Sequence, residues 1–261
     1  MHFRSNGFRL QLSRLDVSTV AVVALCACLA LPISGWAKDK DKQPPAADVD
    51  SGSFGVYSGG HRVLTETFSI KPRPDGSVVL SEFKSEQGEQ KAAQSSELDL
   101  TPSVELQRYS WKESLPDQSE AVVEPSDTFL VEHFGKPGDK PADQSFLLPA
   151  STTILDDYFF IHREVLAWKY LATACPADKN GGRGCPLGQK VQFGTLNPHA
   201  RSSMGVSIEF TGQEKLTLHG VERACNRFVL RSENGDWAFW LDDQFKLVRL
   251  LSDGGIEVLR D

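Results

Sequence analysis

From residue 53 onward, apolar and polar residues alternate in short runs. Successive side chains of a β-strand point to opposite faces, so a period of two marks a strand with one buried face. In residues 63–70, Leu64, Glu66, Phe68 and Ile70 share one face, and Val63, Thr65, Thr67 and Ser69 share the other. The same reading predicts strands at 54–57, 78–84, 97–100, 104–111, 121–124, 129–134 and 146–148, then at 191–193, 206–210 and 215–219. Ser58-Gly59-Gly60 and Pro74-Asp75-Gly76 supply turn chemistry between the early strands. The last third reads as an antiparallel meander: 228–231, 237–242, 245–251 and 256–260 are joined by Asn234-Gly235, Asp242-Asp243 and Asp253-Gly254-Gly255. Trp237, Phe239 and Leu241 alternate there with Ala238 and Trp240, and Phe245, Leu247 and Leu251 alternate with Val248 and Leu250. Both faces carry apolar bulk, which predicts a sheet covered on both sides.

One segment breaks the period of two. Residues 155–172 have the length and composition of a helix, with Thr153 and Asp156 placed to cap its start and Pro176 to end it. Leu155, Tyr158, Phe159, Val165, Leu166 and Trp168 spread around much of its circumference, which predicts burial rather than a single apolar stripe. The fold class expected is therefore mainly β. A curved antiparallel sheet, a half-barrel of about ten strands, packs around one buried helix in a single domain over 53–261, with Trp168 well buried.

The N-terminus reads as an address. Arg4, Arg9 and Arg14 precede an apolar run over 17–31, and Gly35 and Ala37 end it with small residues. That is the layout of a secretory signal over 1–37 with cleavage after Ala37. The apolar run is shorter than the ~20 residues a spanning helix needs. Lipidation at Cys28 fits less well, because Leu29, Ala30 and Leu31 follow it. Residues 38–52, rich in Lys, Asp and Pro, read as a flexible tail. Export places the chain in the periplasm or outside the cell, and the membrane is met only through the transient signal.

At 40% hydrophobic residues the chain has a real core, and a net charge of -7 excludes a protein built to grip nucleic-acid phosphates. Cleavage removes Cys26 and Cys28 and leaves Cys175, Cys185 and Cys225. In an oxidising compartment the matching steps Cys175-Pro176 and Cys185-Pro186 predict a Cys175–Cys185 disulfide, with Cys225 a buried thiol.

The chain spells out no reaction. His61, His133, His162, His199 and His219 form no i, i+4 pair, so they read as surface or strand-end residues and no metal site is assigned. Glu132-His133 and Ser202-Ser203 lack a GxSxG elbow, so no catalytic residue is assigned either. Asn180-Gly181-Gly182-Arg183-Gly184 lacks the GK[ST] ending of a phosphate loop, and no cofactor is expected. Asp156-Asp157 reads as a pair of acids favoured by the helix dipole. Trp111, Phe160, Trp168, Tyr170 and Trp240 are the candidate ligand-binding residues. They form either ordinary core or the lining of an apolar cavity between helix and sheet.

Phe54-Gly55-Val56-Tyr57, Leu98-Asp99-Leu100-Thr101, Ile154-Leu155-Asp156, Leu216-Thr217-Leu218-His219-Gly220, Phe239-Trp240-Leu241-Asp242 and Leu247-Val248-Arg249-Leu250 come in an order that resembles a family. The chain looks like the bacterial envelope proteins grouped only as domains of unknown function, whose architecture is similar to the half-barrel of the LolA/LolB-type lipoprotein carriers. The resemblance covers residues 53–261 and implies a fold and a compartment, with no catalytic residues to carry over. The expectation is a non-enzymatic envelope protein that binds a lipid or other apolar or amphipathic ligand and meets other envelope proteins. The rival classes are a structural or protein-interaction module with a filled core, and an envelope hydrolase. N-terminal sequencing of the exported protein is expected to begin at Lys38; Met1 or a lipidated Cys28 at its start overturns the signal reading.

Overall fold

The computed structural model describes residues 48–85, 92–149, 151–176 and 183–261. Residues 1–47, with the signal and most of the tail, lie outside the described residues, as does the centre of the cysteine loop. The N-terminal half forms a meander of β1 (Asp50–Ser58), β2 (His61–Arg73), β3 (Gly76–Ser85), β4 (Ala93–Leu100), β5 (Leu106–Leu115), β6 (Ser119–Ser126), β7 (Phe129–Gly135) and β8 (Ala142–Phe146). The short β9 (Thr153–Ile154) leads into the helix α1 (Ile161–Ala174). A second meander follows: β10 (Lys190–Asn197), β11 (Ser202–Leu218), β12 (Val221–Ser232), β13 (Gly235–Leu241), β14 (Leu247–Ser252) and β15 (Ile256–Arg260).

All fifteen strands described, rather than about ten, belong to one open sheet in the order β8-β7-β6-β5-β4-β3-β2-β1-β15-β14-β13-β12-β11-β10-β9. Every neighbouring pair is antiparallel except β9 with β10. The two meanders meet at the middle of the sheet, where β1 pairs with β15. β1 begins at Asp50, so Asp50–Gly52 are paired with β2 although they fall in the stretch read as tail. The separate strands expected at 206–210 and 215–219 are one strand, because β11 runs on through a bulge at Gly212, whose φ of 116° suits glycine.

Alternation sorts most side chains correctly. Trp237, Phe239 and Leu241 enter the main core, while Trp240 and Ala238 join a second cluster with Leu216, Cys225 and Val248. Both faces of this part of the sheet are thus apolar, and the Arg249 and Arg227 guanidinium groups lie 4.9 and 5.6 Å from the Trp240 ring centre. β14 departs from the expectation. A register shift against β13 inserts one residue, so Leu247 and Leu250 both face the main core and Leu251 faces the second cluster. Phe245 precedes this strand, in a turn closed by its N–H donating to the Asp242 carbonyl.

The helix starts six residues later than the capping pattern predicts. Thr153 and Ile154 pair with Thr195 and Leu196 of β10, and Asp156 is buried elsewhere. The cap comes from Glu66 of β2. Its carboxylate accepts from the N–H groups of Phe160 (2.7 Å) and Ile161 (3.2 Å) and from the Ser81 hydroxyl of β3 (2.7 Å). The first N–H groups of a helix have no partner within it, so a buried acceptor aimed at them holds the helix end to the sheet. From there Ile161, Val165, Leu166, Tyr170 and Leu171 share one core with strands of both meanders, Ile70, Tyr109, Phe228 and Leu250 among them. Trp168 is only half-buried, and its indole N–H donates to the Phe245 carbonyl at 2.8 Å. The Cys175–Cys185 disulfide is formed just past the helix, with Cα atoms 4.4 Å apart, and Cys225 is a buried free thiol.

Removing the Glu66 carboxylate orphans three buried donors. Glu66→Ala is expected to cost about 3 kcal/mol, lowering Tm by roughly 6–12 °C for a domain of this size. Burial pushes the Glu66 carboxyl from 4.5 up to about 7, against the pull of Ser81, Ile161 and Phe160. The folded protein therefore holds this proton more tightly than the unfolded chain. The contribution to stability is complete below pH 4.5 and is lost as pH rises through about 7. Glu66→Gln cannot titrate, so denaturation across that window is expected to show a shallower fall in stability than in the wild type. A fall of equal slope rejects this role for Glu66.

Candidate functional site

Residues 155–160, between β9 and α1, separate two sets of chemistry. On one side lies an apolar cavity of about 440 Å³. Val56 of β1, Val63 and Leu64 of β2, Leu155 and Phe160 beside the helix, and Met204, Leu230, Trp237 and Ile256 of the second meander line it. The volume falls within the range of small-molecule sites, roughly 300–1,000 Å³. Asp157 and Arg163 add charge to this apolar wall. Arg163 is 5% exposed, and its guanidinium lies 5.0 Å from the Phe160 ring centre and 4.7 Å from that of Trp237. One Nη donates to the Asp156 carbonyl at 3.2 Å, while Nε–H has no partner among the described residues. Burial pulls the guanidinium down from its ordinary value, and the charges of Asp157, Glu66 and Asp156 oppose that pull.

On the other side the Asp156 carboxylate is fully buried. Oδ2 accepts from the Tyr109 hydroxyl at 2.7 Å and lies 2.6 Å from His199 Nδ1, while Oδ1 accepts from the Tyr158 N–H at 2.9 Å. Burial raises its pKa, but the hydrogen bond and charge of His199, then His162 and the Tyr158 N–H, outweigh that and hold it below 3.8. His199 Nε2 lies 2.8 Å from Gln94 Oε1, and the Gln94 amide donates to Glu113 at 3.3 Å. Both imidazole nitrogens are thus engaged, and neither is left for a serine or a metal ion. The His199 ring stacks on Trp111 with centres 3.9 Å apart.

These contacts correct the reading of the acids and histidines. Asp156 and Asp157 lie before the helix and serve its dipole little: Asp156 gathers Tyr109 and His199, and Asp157 accepts from Asn197 at 2.6 Å. His162 is neither at the surface nor at a strand end. It is fully buried on α1 with both ring nitrogens unpartnered among the described residues, and burial lowers its pKa from 6.5 to about 4. His133 bonds Asp143 at 2.7 Å. No group of three or more His, Cys, Asp or Glu placed to hold a metal occurs among the described residues.

The five aromatic candidates do not converge. Phe160 lines the apolar cavity, and Trp111 stacks on His199. Tyr170 is buried further along α1, where its hydroxyl donates to the Gln189 carbonyl at 2.7 Å and accepts from the Phe210 N–H at 3.3 Å. Trp168 reaches the Phe245 carbonyl, and Trp240 belongs to the second cluster, its indole N–H donating to Glu214 at 2.9 Å. The cavity instead draws on Val56, Met204, Leu230, Trp237 and Arg163, residues from distant parts of the chain. Only Arg163 carried a signal, as a charge inside a segment whose apolar residues spread around much of its circumference.

No family model matches the chain, and no curated protein matches it in sequence. Among solved structures it is similar to a β-barrel-like protein of the domain of unknown function DUF1849 from Brucella abortus. That match has 10% identity and a TM-score of 0.52, and covers 81% of this chain and 94% of that one. It is also similar to a DUF1089 family protein from Pseudomonas aeruginosa, with 9% identity, a TM-score of 0.44, and 74% and 92% coverage. The likeness to the first is one of fold: the expected resemblance to bacterial proteins of unknown function holds at that level.

Asp156→Asn replaces a buried carboxylate that holds three hydrogen-bond partners by an amide and is expected to cost about 2–4 kcal/mol. A carboxyl held below 3.8 stabilises the fold above that pH and loses the contribution as pH falls through its folded value. Denaturation on the acid side is therefore expected to lose less stability in the variant than in the wild type, and an unchanged acid limb rejects the assignment.

Proposed function

We infer that this is an exported, non-enzymatic protein of the bacterial envelope, periplasmic or secreted, whose sheet acts as a half-barrel around α1 and binds an amphipathic molecule. The apolar body of the ligand fills the cavity beside the helix start, and its anionic head, a carboxylate or phosphate, meets Arg163. The observation that carries the reading is the buried Arg163 guanidinium in a mainly apolar cavity that also holds Asp157, Ser232 and Asn234, with Nε–H unpartnered among the described residues. A buried donor without an acceptor is costly, and an anion in a water-poor site gains a charge-assisted hydrogen bond from it. The guanidinium lies against the Phe160 and Trp237 rings, which leaves little freedom to lose on binding. The half-barrel carriers of lipoproteins supply an analogy of architecture only.

Native mass spectrometry with lipidomics, on protein purified from its own envelope, is expected to find a single-headed anionic amphiphile bound one to one. Dodecanoate is expected to shift the tryptophan emission on binding, and Trp237→Phe to remove that shift. Arg163→Met keeps a side chain of similar length and removes the charge, so it is expected to weaken dodecanoate at least about tenfold, with Tm measured on the same variant to separate lost binding from lost folding. Full binding by Arg163→Met, or protein that carries no amphiphile and takes up none, rejects the reading.

A further inference from the structure

Glu132 sits on the core-facing side of β7, between Leu130 and Phe134, and is fully buried. Neither carboxylate oxygen has a hydrogen-bond partner among the described residues. Trp111 on β5 presents a second orphan: its indole N–H is buried and likewise unpartnered among them. Both residues line one cavity of about 250 Å³, which shares no lining residue with the apolar cavity beside Arg163. His199 covers one face of the Trp111 ring. Arg201 lines the same cavity, with its guanidinium 4.4 Å from the Phe134 ring centre.

Buried polar groups are almost always paired, and an unpartnered carboxylate is among the most costly exceptions. Here the residues that line one small space carry two acceptor oxygens and one donor without a partner among the described residues. A hydrocarbon chain leaves all three unsatisfied. A simple anion is repelled by Glu132. A group that carries donors and an acceptor side by side satisfies both orphans together.

We propose that this cavity is a second ligand site, for a small molecule in which a protonated amine stands next to an oxygen acceptor, as in an amino acid or an amino alcohol. The ammonium donates to the Glu132 carboxylate, and the neighbouring oxygen accepts from Trp111 Nε1–H. A carboxylate in that second position also gains the field of Arg201. The cavity is smaller than that beside Arg163, which suits a compact polar molecule rather than a lipid. The groups facing Glu132 set its ionisation. Burial pushes its carboxyl from 4.5 up to about 7, Arg201 lowers it and Asp156 raises it, and Glu120, Lys136 and His199 complete the charged or titratable lining. An ammonium pairs with the ionised form, so affinity rises as pH climbs through about 7.

Calorimetric titration of the wild-type protein with L-alanine and ethanolamine tests this, with ethylamine and acetate as probes that carry one group each. The two-group probes are expected to bind saturably, ethylamine more weakly and acetate not at all. Glu132→Gln is expected to weaken the two-group probes at least about tenfold, the loss of one charge-assisted hydrogen bond. Trp111→Phe, which keeps an aromatic ring and removes the donor, is expected to weaken the two-group probes and leave ethylamine unchanged. Alanine tighter than ethanolamine identifies an amino acid as the better fit, and the reverse order an amino alcohol. Absence of amine binding in the wild type, unchanged affinity in Glu132→Gln, or affinity flat with pH overturns the proposal. Dodecanoate titrated into the same samples separates the two sites, because its binding without amine binding rejects this site alone.

Discussion

The structure depends on one buried carboxylate. Glu66 reaches from the second strand to the start of the only helix described, ninety-four residues further along, and binds two of its N–H groups while Ser81 holds it from the next strand. Without that contact the helix start has no side-chain cap, since Phe160 supplies none. With it, the first turn of α1 is fixed against the first meander, and Arg163 and Glu164 are carried into the core at set positions. Glu164 then accepts from the Leu247 N–H at 2.7 Å, which ties the same turn to the second meander. Two acids thus hold one helical turn to both halves of the sheet, and the apolar cavity opens where that turn begins.

The charged residues around this turn form a continuous set rather than isolated pairs. Arg260 on β15 binds Asp50 on β1 through both Nη atoms, at 2.7 and 2.9 Å, and Lys246 joins from beside β14 at 3.0 Å. Burial, then the charge of Asp50, pushes the Glu164 carboxyl well above its ordinary value. Arg260 lies within 3.9 Å of Glu164 and 5.1 Å from the Phe68 ring centre. Breaking one member leaves another buried without its partner, which is more costly than never having buried the set. The arrangement specifies one position for the helix, at some cost in stability relative to an all-apolar contact.

The strands were legible because alternation is a local signal and each has one face in the core. What alternation missed came from elsewhere in the chain. The pattern predicts a helix over 155–172 capped by Thr153, and misses the true start because the cap is an acid on a distant strand. Leu250 and Leu251 were assigned to the wrong faces because a bulge shifts the period by one residue. The aromatic set did not converge, since ring size predicts burial and not which part of the core a ring occupies. A finer signal was present in the same pattern. Glu66 stands in phase with Leu64, Phe68 and Ile70, Glu132 in phase with Leu130 and Phe134, and Arg163 lies inside a segment predicted to be buried. A charge on an apolar face must be paired or must serve a ligand, and each of these residues belongs to the helix cap or to a cavity.

The pairing of β1 with β15 has a consequence for the order in which the sheet is completed. The first strand described and the last lie side by side at its centre, so the joint between the meanders waits for the residues from Ile256 onward. A chain that stops short of them carries two half-sheets, each with an unpaired inner edge. Such edges recruit strands from other molecules, and contacts this distant in sequence form slowly. The most vulnerable interval in folding thus lies before the last strand has found the first. In that interval holding the half-sheets apart from other chains matters more than the final stability of the fold.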